Sequence, residues 1–131
     1  MTSSIIRRAR TISSGNGGGL HISNSGTTSI DLTSVSLTHT SAHTDGGFLY
    51  KINSGYTLIL DSVTSLRSSA VNGNGGFGYL SGSSISTITI RNSCYFKSSM
   101  ATLDGGLLFT TGSAKVTVSV DSSIIESCSA Q

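Results

Sequence analysis

Short apolar pairs, with their members two residues apart, recur along the chain in a background of serine, threonine and glycine. Four Gly-Gly pairs set the rhythm: Gly18-Gly19, Gly46-Gly47, Gly75-Gly76 and Gly105-Gly106, spaced 28, 29 and 30 residues apart. Leu20, Phe48, Phe77 and Leu107 follow the pairs directly, and two positions later come Ile22, Tyr50, Tyr79 and Phe109. A period of two puts alternate side chains on one face of a strand. These eight are therefore expected to point inward, and His21, Leu49, Gly78 and Leu108 outward. A second strand is predicted about ten residues on, around Ile30/Leu32, Leu58/Leu60, Ile88/Ile90 and Val118/Val120. A weaker third carries Val35/Leu37, Val63/Ser65, Cys94/Phe96 and Ser123/Ile125, and an alanine closes each copy at Ala42, Ala70, Ala101 and Ala130.

Repeats of this length describe a solenoid, in which no single unit can bury its apolar face without neighbours. The predicted fold is all-β: a right-handed parallel β-helix of about four coils with three short strands each. A sandwich also has short strands and glycine-rich turns, but nothing in it repeats one three-strand cassette at four equivalent phases. Residues 1–131 read as a single segment with coils opening near 18, 46, 75 and 105. Ser3-Ser4-Ile5-Ile6 duplicates Ser122-Ser123-Ile124-Ile125, so both ends are expected to lie within a coil and to be uncapped. Further β-helical coils, of the same or a neighbouring chain, are the partners such ends imply.

Turn chemistry agrees with this picture. Gly17, Asp45, Asn74 and Asp104 precede the glycine pairs and form a predicted turn ladder, because Asp and Asn bond their own backbone and glycine opens otherwise closed dihedrals. Asp61, Arg91 and Asp121 share another phase and form a predicted charge ladder. That ladder fixes register more than it adds stability.

Composition narrows the class further. Charged residues make up 11% and hydrophobic residues 36% of the chain, with no proline and a formal net charge of +2. A disordered segment of low hydrophobicity and high charge does not look like this, and a continuously bonded sheet has no use for proline. No run is long and apolar enough for a transmembrane helix, so direct membrane insertion is not expected. The Arg7–Arg10 stretch reads first as a solvent-facing turn and second as a docking patch for an acidic surface. Nucleic acid is not an expected partner: the eight Lys and Arg look scattered, and Tyr50 and Tyr79 are placed inside, leaving no stacking platform.

No constellation for catalysis stands out. Asp45 and Asp104 occupy equivalent turns two coils apart, but Asn74 between them makes a turn role the simpler reading. His21, His39 and His43 share no phase, and no metal-binding spacing is present. Cys94 reads as a buried apolar residue and Cys128 lies at a different phase, which disfavours a disulfide. No cofactor and no metal are expected. Outward Ser29, Thr57, Thr87 and Thr117 form a hydroxyl row that brings in ice binding, but Asp31, Ile59, Thr89 and Ser119 break the neighbouring row.

The tetrads Gly18-Gly19-Leu20-His21, Gly46-Gly47-Phe48-Leu49, Gly75-Gly76-Phe77-Gly78 and Gly105-Gly106-Leu107-Leu108 resemble the Gly-Gly-Ala-Ile repeats of polymorphic outer membrane proteins. Cys94-Tyr95-Phe96-Lys97-Ser98-Ser99 is similar to the Cys-x-Phe-x-x-Asn segment that precedes them, with Ser99 at the Asn position. The resemblance implies a pectin-lyase-like β-helix acting as a non-catalytic structural or adhesion-like module at the cell surface or outside the cell, with surface glycans as further partners. It brings no catalytic residues. Carbohydrate binding or processing and ice binding stand as the alternatives.

Overall fold

A computed structural model describes residues 4–11, 14–112 and 115–131. Ser3, the first residue of the duplicated segment, lies outside them. The chain is an all-β parallel solenoid of about four turns, consistent with a right-handed β-helix. A partial coil carries β1 (Ser4–Arg7). The first full coil holds β2 (Leu20–Asn24), β3 (Thr28–Thr33), β4 (Val35–Thr38) and β5 (Ser41–Ala42). The second holds β6 (Leu49–Asn53), β7 (Tyr56–Asp61), β8 (Thr64–Leu66) and β9 (Ser69–Ala70). The third repeats the set as β10 (Gly78–Ser81), β11 (Ser86–Arg91), β12 (Tyr95–Lys97) and β13 (Met100–Ala101). The fourth ends it as β14 (Leu108–Thr111), β15 (Val116–Val120), β16 (Ile124–Glu126) and β17 (Ser129–Ala130).

Each full coil thus has a fourth strand of two residues, built on the recurring alanine. Four parallel sheets run along the axis, beginning at β1, β2, β3 and β5. The second-strand pairs align as Ile30–Leu58–Ile88–Val118 and Leu32–Leu60–Ile90–Val120. Leu37, Ser65, Phe96 and Ile125 align in the next sheet, with Ile6 below them. Most of the fully buried apolar side chains belong to the second and third coils, among them Phe48, Leu58, Leu60, Phe77, Ile88, Ile90 and Phe96.

Corners explain the glycines and the serines. The first glycine of each pair, Gly17, Gly46, Gly75 or Gly105, has φ between 66° and 71°. The second has a different reason. A Cβ on Gly76 would lie 2.2 Å from the Gly106 carbonyl oxygen and 2.6 Å from the Met100 amide nitrogen, so only hydrogen fits where the corner meets the alanine strand. Two other corners use left-handed residues with side chains. Ser34, Ser62, Ser93 and Ser122 turn the β3 sheet into the β1 sheet, and Arg8, His39, Arg67, Ser98 and Ser127 turn the β1 sheet into the β5 sheet. Such residues cost about 1–2 kcal/mol each relative to ordinary backbone, which the ladders of backbone bonds on either side offset.

The first strand of each coil departs from the sequence-based register. The doublet of the first coil is Gly17-Gly18, not Gly18-Gly19, because Gly17 shares its φ with Gly46 and Leu20 pairs with Leu49. Coil spacings at this corner are therefore 29, 29 and 30 residues. Gly19, not Leu20, lies in the row of Phe48, Phe77 and Leu107. In addition, two successive amides share one carbonyl: Phe48 N–H and Leu49 N–H both donate to the Phe77 oxygen, at 2.8 and 2.9 Å. Phe77 and Gly78 repeat this on the Leu107 oxygen. The coils keep a one-to-one register, so no residue is inserted; Phe48 and Phe77 belong to the corner, and the alternation of the strand starts one residue later, at Leu49 and Gly78. Phe48 and Leu49 are consequently both buried, and Tyr50 turns outward. The inward placement of Tyr50, Tyr79 and Phe109 is corrected: they form an outer row with His21. Ile22 is aligned with Lys51 and Leu80, which point into the core.

Candidate functional site

The expected turn ladder needs the same one-residue correction, with Asn16 in place of Gly17. Asn16 Oδ1 accepts from the Asp45 amide at 3.1 Å, Asp45 Oδ1 from the Asn74 amide at 2.7 Å, and Asn74 Oδ1 from the Asp104 amide at 3.1 Å. Each side chain caps the next coil, so Asp45 and Asp104 are separated by the bonded Asn74 and do not converge on a common point. In the charge ladder Arg91 Nε meets Asp61 Oδ2 at 2.9 Å. Asn92 and Ser62 donate to the same carboxylate, and these bonds together with Arg91 hold Asp61 below the usual carboxylate range. Asp121 lies one coil further on and accepts from Ser122 Oγ, at 3.0 Å.

The outward row His21, Tyr50, Tyr79 and Phe109 is a feature the period-two reading hid. Tyr50 and Tyr79 stack with centroids 5.1 Å apart and planes 20° apart, Tyr79 and Phe109 at 5.3 Å and 25°, while His21 meets Tyr50 edge-on at 4.8 Å. Partial burial raises both tyrosine pKa values, Tyr79 and Asp45 adding to the effect at Tyr50 and Asp45 at Tyr79. Aromatic pairs of this kind add about 0.5–1.5 kcal/mol each. Because the rings stack along the solenoid axis, Tyr50 and Tyr79 present edges and hydroxyls to solvent. Their flat faces are covered by neighbouring rings, so the row is unsuited to stacking a sugar or a base.

The core holds two polar surprises. Lys51 is fully buried, and its Nζ donates to the carbonyls of Ile52 (2.7 Å) and Ser54 (3.1 Å). Burial lowers its pKa. Tyr56 is buried with its hydroxyl unpartnered. Thr40, Ser68 and Ser65 form a hydroxyl chain inside the coils, Thr40 to Ser68 at 2.7 Å and Ser65 to Ser68 at 2.9 Å. The neighbouring buried Ser99 hydroxyl has no partner. Cys94 is buried, with its single thiol proton within reach of the Leu60 and Arg91 carbonyls; Cys94 and Cys128 are both free. On the outer face Ser29, Thr57, Thr87 and Thr117 align, next to Asp31, Ile59, Thr89 and Ser119.

Among the described residues no group of three or more His, Cys, Asp or Glu could hold a metal ion, and no helix is long and apolar enough to cross a membrane. No family model, curated protein or solved structure matches the chain. Among the described residues two further surface features stand out. One is the basic corner bearing Arg8, His39 and Arg67. The other is the end of the solenoid at the fourth coil, where core-phase residues are open: Val118 is 55% and Val120 51% exposed, against 1% for Ile88 and Ile90 directly below.

Proposed function

We propose that the chain is a non-catalytic structural or adhesion-like segment of a larger β-helical surface protein or assembly, in which further coils cover the fourth one. The observation that carries this reading is the apolar end face. Val118, Val120 and Ile125 are all exposed there, although each stands directly over a buried member of the same ladder. Beside them β14, β15 and β16 present unpaired strand edges, which template addition of another strand. Resemblance to polymorphic outer membrane protein repeats supports a location outside the cell. The hydroxyl face supports ice binding less well, because Ile59 and Asp31 interrupt it.

Sedimentation velocity over a wide concentration range tests the proposal. Association that grows with concentration is expected, and it should vanish in a Val118→Lys/Val120→Lys variant with an unchanged circular dichroism spectrum. A particle that stays monomeric throughout, and whose lysine variant behaves identically, overturns it.

A further inference from the structure

The distribution of positive charge marks a second surface, independent of what covers the end coil. Of the eight Lys and Arg, Lys51 is buried, Arg91 is paired with Asp61, and Lys97 is paired with Glu126. Four of the remaining five, Arg7, Arg8, Arg10 and Arg67, lie on the strands and corner where the β1 sheet meets the β5 sheet. Arg7 pairs with Thr38 across β1 and β4, and Arg10 bridges to Ser41 of β5. Arg8, His39 and Arg67 hold successive left-handed corner positions, with φ of 55°, 55° and 61°. Their amides donate to the carbonyls of Thr38, Leu66 and Lys97, so each stands directly over the next. What sequence spacing made look scattered is a ladder, with Arg8 and Arg67 two coils and about 10 Å apart along the axis.

The ladder borders a continuous groove. One cleft of about 560 Å³ is lined by Arg8, Arg10, His39 and Ser41. It adjoins another of about 480 Å³ that shares His39 and Ser41 and adds Arg67, Ser69, Ser98 and the exposed Met100. Arg67 Nη1 donates to His39 Nε2 at 2.9 Å, which ties the two side chains together across adjacent coils. The sole acid on the flanking strands, Glu126, is already engaged by Lys97 (2.9 Å) and by the Tyr95 hydroxyl (2.5 Å).

We propose that this groove binds a linear sulfated or carboxylated polysaccharide lying parallel to the solenoid axis. Guanidinium forks match sulfate and carboxylate groups in a bidentate manner. Ser41, Ser69 and Ser98 place hydroxyls beside the arginines, suited to the hydroxyls of a sugar chain. An acidic peptide recognised by strand addition needs a free sheet edge parallel to itself, whereas the strands here are paired and run across the groove. Single-stranded nucleic acid needs open aromatic faces, and the aromatic row is self-stacked and borne on a different sheet.

Heparin is the probe, measured by calorimetry at low and moderate salt, with neutral dextran, polyglutamate, single-stranded DNA and anionic phospholipid vesicles as comparison ligands. Binding to heparin that weakens with salt is expected, with none to dextran and weaker binding to the other polyanions. Asparagine tolerates the left-handed corner, so an Arg8→Asn/Arg67→Asn variant keeps the fold and should bind heparin roughly tenfold or more weakly. Arg67→Lys should lose part of that, since charge remains and the fork does not. Lys115→Asn, away from the groove, should bind as the parent does. Equal loss in the Lys115 variant, no loss in the double variant, or binding to DNA, polyglutamate or vesicles as tight as to heparin overturns the proposal.

Discussion

The third and fourth coils of this solenoid carry nearly the same ladder residues and live in different solvents. Ile90 is 1% exposed and Val120, stacked directly on it, 51%. Both are β-branched, both occupy the same strand position, and both point toward the axis. What separates them is that Ile90 has a coil on each side and Val120 on one. A side chain in a linear stack is buried by its neighbours in the stack, not by its own repeat, so burial is a property of position along the rod.

The largest test of that difference is a matched pair of truncations. Ile90→Ala should destabilise by about 2–5 kcal/mol, through lost transfer energy and a residual cavity. Val120→Ala should cost less than about 1 kcal/mol in the isolated chain, where the site is already half open to water. Urea unfolding of both variants measures this; equal costs would mean that the end coil is covered in solution, and would sharpen the case for association.

A smaller effect concerns the inner second coil, where Tyr56 is buried with no partner for its hydroxyl. Removing an unsatisfied buried hydroxyl recovers about 1 kcal/mol or more, so Tyr56→Phe should raise stability at neutral pH. Burial pushes the phenol up to about 12, from an ordinary 10.0. Between those values the folded chain keeps a proton that the unfolded chain releases, so stability falls as pH rises through the interval. Thermal unfolding across alkaline pH should show this loss in the parent and its reduction in Tyr56→Phe. An identical alkaline profile in the two would contradict the buried placement.

The smallest effect should erase the contrast between coils. Asp61–Arg91 spans the second and third coils and Lys97–Glu126 the third and fourth, yet both lie on the outer surface with geometry of 2.9 Å. Arg91→Ala and Lys97→Ala should each cost less than about 1 kcal/mol and should converge on the parent in high salt. A cost at Arg91 several times that at Lys97 would show that the outer surface also senses position in the stack.

How much was legible beforehand varies from strand to strand. The second strand was read in its true register, because Leu58/Leu60 and Ile88/Ile90 alternate without interruption. The first strand was not. Three consecutive glycines, Gly17 to Gly19, offered two doublets, and the more even spacing of 29, 29 and 30 was the available signal for the right one. That Phe48 and Phe77 belong to the corner and not to the strand left no mark in the sequence, since what holds them there is a carbonyl on the next coil that accepts two amides. With parity reversed, Tyr50 and Tyr79 moved from the core to an outer stack, and Lys51 moved in. The basic ladder was missed for a related reason: Arg8 and Arg67 are 59 residues apart in sequence, and only the coil geometry stacks them.

Glycine spacing, apolar alternation and the Asx residues before each corner were therefore sufficient to determine a parallel solenoid of about four turns, because they are local demands of strands and corners that any single coil must meet. Which side chains line the core, which of them form the aromatic row, and where the arginines converge were decided by the stacking of one coil on the next. Those outcomes depend on the hydrogen-bond register between residues about 29 positions apart, and a shift of a single residue exchanges inside for outside.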